Sequence, residues 1–224
     1  MMENQHSEND LKEVAAQLSC PTGERGLKAA AMMNISNKGM TESAILALDL
    51  QYGNQILEIG PGNANHLKYL LQQAQNLSYT GADISALMIN EAAKINASFV
   101  QNNQAHFVLT EADTLPFASA AFDRIFTVNT IYFWIKPEQY LNEISRILKP
   151  EGAFILCFAD KNFMETLPFT PYGFQLYNDD LAIELLKKAN FKIEKVACLT
   201  EDIYNNIGQA VSRKYYVIKA VKAD

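Results

Sequence analysis

From Gly53 onward, short apolar runs alternate with stretches of helical periodicity, and that alternation leaves few architectures open. Gln55–Ile59, Leu77–Ala82, His106–Leu109, Phe122–Val128 and Ala153–Phe158 are predicted strands. Between them, Asn63–Gln73 carries Leu67, Leu70 and Leu71 on one helical side, and Ser85 can cap a helix running to about Phe99. Pro137 stands where a first-turn proline is tolerated, followed by Tyr140, Leu141, Ile144, Ile147 and Leu148 at helical spacing. Repeated strand–helix units of this kind build a parallel sheet covered by helices, an α/β fold. Asn178 or Asp179 is expected to cap a last helix with Leu181, Leu185 and Ala189 inward, stopped by Asn190 in the left-handed region. The final strands, Phe191–Leu199 and Lys214–Val221, have only a loop between them and are therefore expected to pair antiparallel.

The stretch before Gly53 differs. Its first ten residues are polar and acidic and are expected to form a disordered tail. Leu11–Leu50 reads as helical pieces broken by Pro21, Gly23, Gly26 and Gly39, namely Leu11–Leu18, Glu24–Met33 and Thr41–Leu50, the last with Thr41 as N-cap. The expected organisation is a tail over 1–10 and a single domain over 11–224, with a helical extension over 11–52 and an α/β core over 53–224. A chain of 224 residues suits one such domain and is short for two.

Composition removes several classes of function. Nineteen basic against 25 acidic side chains give a net charge of −6 with no basic run, so no nucleic-acid partner is expected. The longest apolar run, Ala153–Ala159, is far shorter than a membrane span. Cys20, Cys157 and Cys198 are far apart, and no Cys/His grouping has metal-ligand spacing, so no metal is expected. With no cationic leader pattern in the opening residues, a reducing cytoplasm is the compartment these features fit.

The chemistry is concentrated at four predicted strand ends. In ILEIGPGNANHL (Ile56–Leu67) a strand ends near Glu58 and turns sharply through Gly60, Pro61 and Gly62 into a helix. Such a turn brings backbone against a ligand, and the helix start offers unpaired N–H groups. A dinucleotide fingerprint would place a third glycine where Asn65 stands, and Glu58 would sit badly beside a pyrophosphate. An acid there suits a ligand with a cationic amine, although a tight turn with no ligand is also possible. Asp83 ends the next strand, about 20 residues on, where a carboxylate can accept ribose hydroxyls or merely cap a turn. After the third strand, Asp113 can accept an adenine amine while Ala112 and Thr114 offer backbone groups, unless the loop is simply acidic. FDRIFTVNTIYFW (Phe122–Trp134) delivers Asn129, Thr130, Tyr132 and Trp134 to the carboxyl edge of the sheet, as ligand groups or as core cover.

In this order and spacing the segments resemble the class I S-adenosylmethionine-dependent methyltransferases, and in particular their small-molecule "methyltransferase type 11" branch. The likeness is strong over Gln55–Phe158 and extends to YNDDLAIELLKKANF (Tyr177–Phe191). It implies a Rossmann-like seven-stranded, mostly parallel sheet in the order 3-2-1-4-5-7-6, with strand 7 antiparallel and helices on both faces. Residues Pro21–Ile45 look like that family's helical lid, with Met33, Asn34, Asn37 and Met40 toward the site. Carried over by position, Glu58, Gly60, Pro61, Gly62 and Asn63 surround the methionyl end and Asp83 takes the ribose. Ile84 and Met88 flank the adenosine, Ala112 and Asp113 hold the adenine, and Asn129 lies near the sulfonium. Pro61 departs from the family's usual small residue, and Ala64 stands where a third glycine is common.

The implied cofactor is S-adenosylmethionine, leaving as S-adenosylhomocysteine, and the implied partner is a small-molecule methyl acceptor. Asn34, Tyr132, Trp134, Tyr172 and Tyr204 are the expected acceptor pocket, with Tyr132 as the candidate catalytic contact. His66 is expected to be a solvated helix residue. A monomer and a homodimer both fit. Two other readings stay open: a non-catalytic adenosylmethionine-binding or partner-binding module on the same fold, and an NAD-dependent oxidoreductase.

Overall fold

The computed structural model describes residues 7–111, 114–204 and 210–223, the Tyr204 side chain excepted. Helices α1 (Glu8–Ser19), α2 (Gly23–Ser36) and α3 (Lys38–Ala47) precede strand β1 (Gln55–Ile59). Then follow α4 (Leu67–Leu71), β2 (Ser78–Asp83), α5 (Ala86–Ile95), α6 (Ala97–Gln101), β3 (Ala105–Leu109) and β4 (Phe122–Val128). A 3-10 turn over Ile131–Phe133 leads to α7 (Pro137–Ile147), β5 (Leu148–Ala159) and α8 (Lys161–Met164). The chain closes with α9 (Asp179–Lys188), β6 (Phe191–Tyr204) and β7 (Ala210–Lys222).

The strands form one seven-stranded sheet in the order β3-β2-β1-β4-β5-β7-β6, parallel except where β7 pairs antiparallel with β5 and β6. Register explains why one edge carries the site. Ile59 at the end of β1 lies opposite Ala82 of β2 and Thr127 of β4, so the chain leaves three adjacent strands at one level. Two bonds pin that level: the Gly60 N–H donates to the Ala82 carbonyl at 2.8 Å, and the Thr127 hydroxyl donates to the Ile59 carbonyl at 2.8 Å.

Helices α3, α5, α7 and α9 pack around the sheet by apolar faces. Met40, Ala44, Ile45 and Leu48 seal α3 and its C-cap against β4, β5 and β7. Each large side chain so buried contributes roughly 1.5–3 kcal/mol. Tyr140, Leu141, Ile144 and Ile147 do the same for α7, as their spacing requires. By contrast, α2 buries only Gly26 and Ala30. No helix among the described residues is long and apolar enough to cross a membrane.

Several boundaries differ from the sequence expectations. Ser7 caps α1 with a capping box, so Glu8–Asp10 are helical in the stretch expected to be a tail, and residues 1–6 lie outside the described residues. Asn37, not Thr41, stands at the N-cap of α3, with Thr41 buried one turn in. The helix expected over 63–73 shrinks to Leu67–Leu71, because Ala64 sits at φ +48° and holds the preceding residues in turns. In α9 and its C-cap, Ala189 is buried and Leu185 packs against the core as expected, but Leu181 is 44% exposed and Ala182 and Leu186 are the helix's buried residues. The β6–β7 hairpin extends well beyond its apolar core, to Tyr204 and Ala210.

Candidate active site

The turn after β1 depends on glycine at two positions. Gly60 has φ +71°, and a Cβ there would overlap the Thr130 methyl. Gly62 has φ +56° and faces open space. Only glycine adopts such angles without strain. Pro61 between them is buried, and Ala64 adopts φ +48° with a side chain, at a cost of about 1–2 kcal/mol.

Asp83 links this turn to the tip of β2. Its Oδ2 accepts the Gly62 N–H at 3.2 Å and its Oδ1 accepts the Ser85 N–H at 2.8 Å. Asp83 as a whole is 8% exposed. Burial raises its pKa to about 6; the backbone donors pull against that rise and the charge of Glu58 adds to it. Ser85 holds the neighbouring geometry by accepting the Met88 N–H at 3.2 Å and donating to the Pro21 carbonyl at 2.6 Å.

Glu58 is almost wholly buried, and its Oε2 accepts the Tyr79 hydroxyl at 2.5 Å and meets His66 Nε2 at 2.7 Å. His66 therefore belongs to the site and is not the solvated residue expected. Burial pushes its pKa down, but the charge and hydrogen bond of Glu58 outweigh this and leave it above the usual value. Burial, then Glu58, holds the Tyr79 phenol well above its ordinary range, so it stays a neutral donor.

Asn129 follows β4 at φ +59°. Its Oδ1 accepts from the Tyr132 hydroxyl at 3.0 Å and the Ala159 N–H at 3.2 Å. Its Nδ2 donates to Asn37 Oδ1 at 3.2 Å and to Met40 Sδ at 3.5 Å. The amide is thus engaged at both ends by the protein. Tyr132, 2% exposed, points into the core: its hydroxyl accepts the Ala159 N–H at 2.7 Å and does not line the cleft. The positive φ at Asn129 turns the following residues so that Phe133 and Trp134 face the cleft instead.

These elements enclose a cavity of about 350 Å³, within the ~300–1,000 Å³ usual for small-molecule sites. Glu58, Gly60, Pro61, Gly62, Asn63, Asp83, Ile84, Met88 and Asn129 all line it. Asn34 and Trp134, expected for the acceptor, line it as well; the Trp134 ring meets Tyr140 edge-on at 5.0 Å. From α2 and α3 come Met33, Asn37, Lys38, Thr41 and Glu42, whereas Met40 is fully buried and absent from the lining. Tyr172 lines a neighbouring cavity that shares Ser19 and Phe133 with the first. Ala112, Asp113 and the Tyr204 side chain lie outside the described residues. Among the described residues no group of His, Cys, Asp and Glu could hold a metal ion.

Tyr79 is the site residue that the sequence does not single out. Only the register Glu58–Gly81, which sets β2 beside β1, brings Tyr79 to Glu58, and no local motif signals it.

Comparison with known proteins places methyltransferases among those similar to this chain. A family model described as a methyltransferase domain matches residues 57–156. A fatty-acid O-methyltransferase of Mycolicibacterium smegmatis is 30% identical over 105 residues, 46% of this chain and 36% of that protein. The O-methyltransferase resE of Aspergillus sclerotiorum is 27% identical over 118 residues, 53% of this chain and 44% of that protein. The match thus spans less than half the length of each of these two relatives. Among solved structures, a SAM-dependent methyltransferase from Aquifex aeolicus superposes with a TM-score of 0.65 at 16% identity, covering 95% of this chain and 98% of that one. At that identity the likeness speaks for the fold alone.

Proposed function

We infer that this chain is a class I S-adenosylmethionine-dependent methyltransferase that moves a methyl group from that donor to a small-molecule acceptor. One observation carries the reading. Glu58 and Asp83, from adjacent strand tips, converge with a left-handed glycine turn on a single cleft.

The residues present fit the donor. Asp83 is placed to accept ribose hydroxyls, and with a pKa of about 6 it is mostly ionised at neutral pH, so that both its oxygens act as acceptors. Glu58, held rigidly by Tyr79 and His66, supplies negative charge toward an ammonium group. Met88 and Ile84 provide apolar cover for the adenosine, and the family resemblance assigns the adenine to Ala112 and Asp113. Asn65 at the position of a third glycine weighs against a dinucleotide.

A bound sulfonium supplies an already activated methyl group, so the chain's own task is alignment. Well-oriented reactants account for roughly 7–11 kcal/mol of barrier reduction. Phe133 and Trp134 wall the cleft on one side and limit water, while Asn34, Asn37 and Thr41 offer polar contacts from α2 and α3. Tyr132 is a positioning residue in this reading, since its hydroxyl braces Asn129 and Ala159. Both relatives described above bear O-methyltransferase names, which makes an oxygen nucleophile the first to try.

The test is transfer of isotope from methyl-labelled donor into the small-molecule fraction of a metabolite extract. Labelled product is expected from the wild-type chain and a large loss from Asp83→Ala. Absence of transfer from the wild-type chain, with donor demonstrably bound, would favour a non-catalytic binding module.

A further inference from the structure

We propose that Arg213, outside the cleft, is a positioning residue that clamps the α2–α3 junction and so holds the α2 wall over the bound donor. Its relevance to methyl transfer rests on the function proposed above; the clamp itself does not.

Arg213 lies on β7 and is 4% exposed. Its guanidinium donates to Glu201 Oε1 at 3.2 and 2.7 Å, to Asn37 Oδ1 at 3.2 Å and to the Ser36 carbonyl. Ser36 ends α2, and Asn37 is at once its C-cap and the N-cap of α3. The same Asn37 oxygen accepts from Asn129, which lines the cleft at the end of β4. One buried cation therefore joins the far side of the sheet, the junction of the two helices and the cleft floor. Gly39 fits this arrangement, because a Cβ there would overlap the Glu201 carboxylate.

The two helices depend on that joint unequally. α3 has its own anchors: buried Met40, Ala44 and Ile45, and a Ser43–Tyr215 hydroxyl bond of 2.9 Å. α2 has little apolar anchorage of its own, yet it supplies Ala30, Met33 and Asn34 to the cleft. Its first turn packs through Gly26 on Pro21, and its other end is held by the bonds that Arg213 makes. An element with few buried apolar contacts opens locally unless its ends are tied. A planar fork of donors can hold a carboxylate, an amide oxygen and a carbonyl together; a lysine ammonium lacks that geometry.

The experiment compares wild type, Arg213→Met and Arg213→Lys by amide hydrogen exchange without ligand and by calorimetric titration with S-adenosylhomocysteine. For Arg213→Met, exchange over residues 23–36 is expected to be at least ~tenfold faster, the scale for losing charge-assisted bonds, with β1, β4 and β5 still protected. S-adenosylhomocysteine affinity is expected to fall by a similar factor, with at most partial recovery in Arg213→Lys. Unchanged exchange over 23–36, uniform loss of protection across the sheet, or unchanged affinity would overturn the proposal. If Arg213→Met does not fold, Asn37→Ala removes the same amide oxygen: faster exchange over 23–36 supports the clamp, and unchanged exchange refutes it. A wild-type chain that binds no S-adenosylhomocysteine would refute methyl transfer while leaving the ligand-free exchange comparison to decide the clamp.

Discussion

Asp83→Asn is expected to make the ligand-free protein more stable at neutral pH while weakening donor binding. The carboxyl's pKa rises from 3.8 to about 6 on folding because the group is buried. Between those values the unfolded chain ionises and the folded one does not, so stability is fully present below pH 3.8 and is lost as the pH climbs through 6. A difference of about 2.2 pH units, at about 1.36 kcal/mol each, corresponds to roughly 3 kcal/mol against the folded state above pH 7. An asparagine carries no charge but can accept only one of the N–H groups of Gly62 and Ser85 in the same way, a loss of about 1 kcal/mol. The net expectation is a variant more stable by about 1–2 kcal/mol at pH 7.5. The gap should narrow by about 2 kcal/mol at pH 4.5, where the folded wild-type group is already protonated. Urea denaturation of both proteins at the two pH values measures this directly. A gap independent of pH, or a variant less stable at pH 7.5, would show that the carboxylate is not strained by burial. Calorimetry on the same pair is expected to show S-adenosylhomocysteine binding weakened by about 1–3 kcal/mol.

Other substitutions probe the frame around the cleft. Gly60→Ala combines a left-handed φ with overlap on Thr130 and is expected to cost at least about 2 kcal/mol in denaturant unfolding. Tyr132→Phe removes a buried hydroxyl that braces Ala159 and Asn129; a stability loss of about 1–2 kcal/mol is expected, with turnover per folded molecule reduced less than about tenfold. A large loss of turnover at unchanged stability would instead return Tyr132 to the chemistry. Ser85→Ala removes the cap of α5 and the bond to Pro21, and the thermal midpoint should drop by an amount equivalent to about 1–3 kcal/mol.

The parallel core was readable because each of its strands is a local apolar run and each turn has its own chemistry, as Phe122–Val128 and the Ser85 cap illustrate. Ends were harder to place. β6 runs on through Thr200, Glu201 and Asp202, polar residues whose extended form is set by pairing with Lys214, Arg213 and Ser212. In the site, Asp113 lies outside the described residues, whereas the meeting of Glu58 and Asp83 in one cleft was legible, since backbone position alone brings them together. His66 was not, because its partner Glu58 lies eight residues back in another element and converts a helix-like position into a buried pair. Tyr132 was misdirected for a related reason. A single positive φ at Asn129 rotates the following residues, and nothing in TVNTIYFW announces it. Arg213 is a single basic residue in a strand as far as the sequence goes, and only the fold brings Ser36, Asn37 and Glu201 around it.

Equilibrium titration of the wild-type chain with S-adenosylhomocysteine, with NADH as comparator, is the most direct measurement. A methyl-donor cleft built on Glu58 and Asp83 requires saturable binding at one site per chain, lost progressively as the pH falls below about 6, and no comparable response to NADH. Binding of NADH in its place, or no binding of S-adenosylhomocysteine at any pH where the chain is folded, would contradict it.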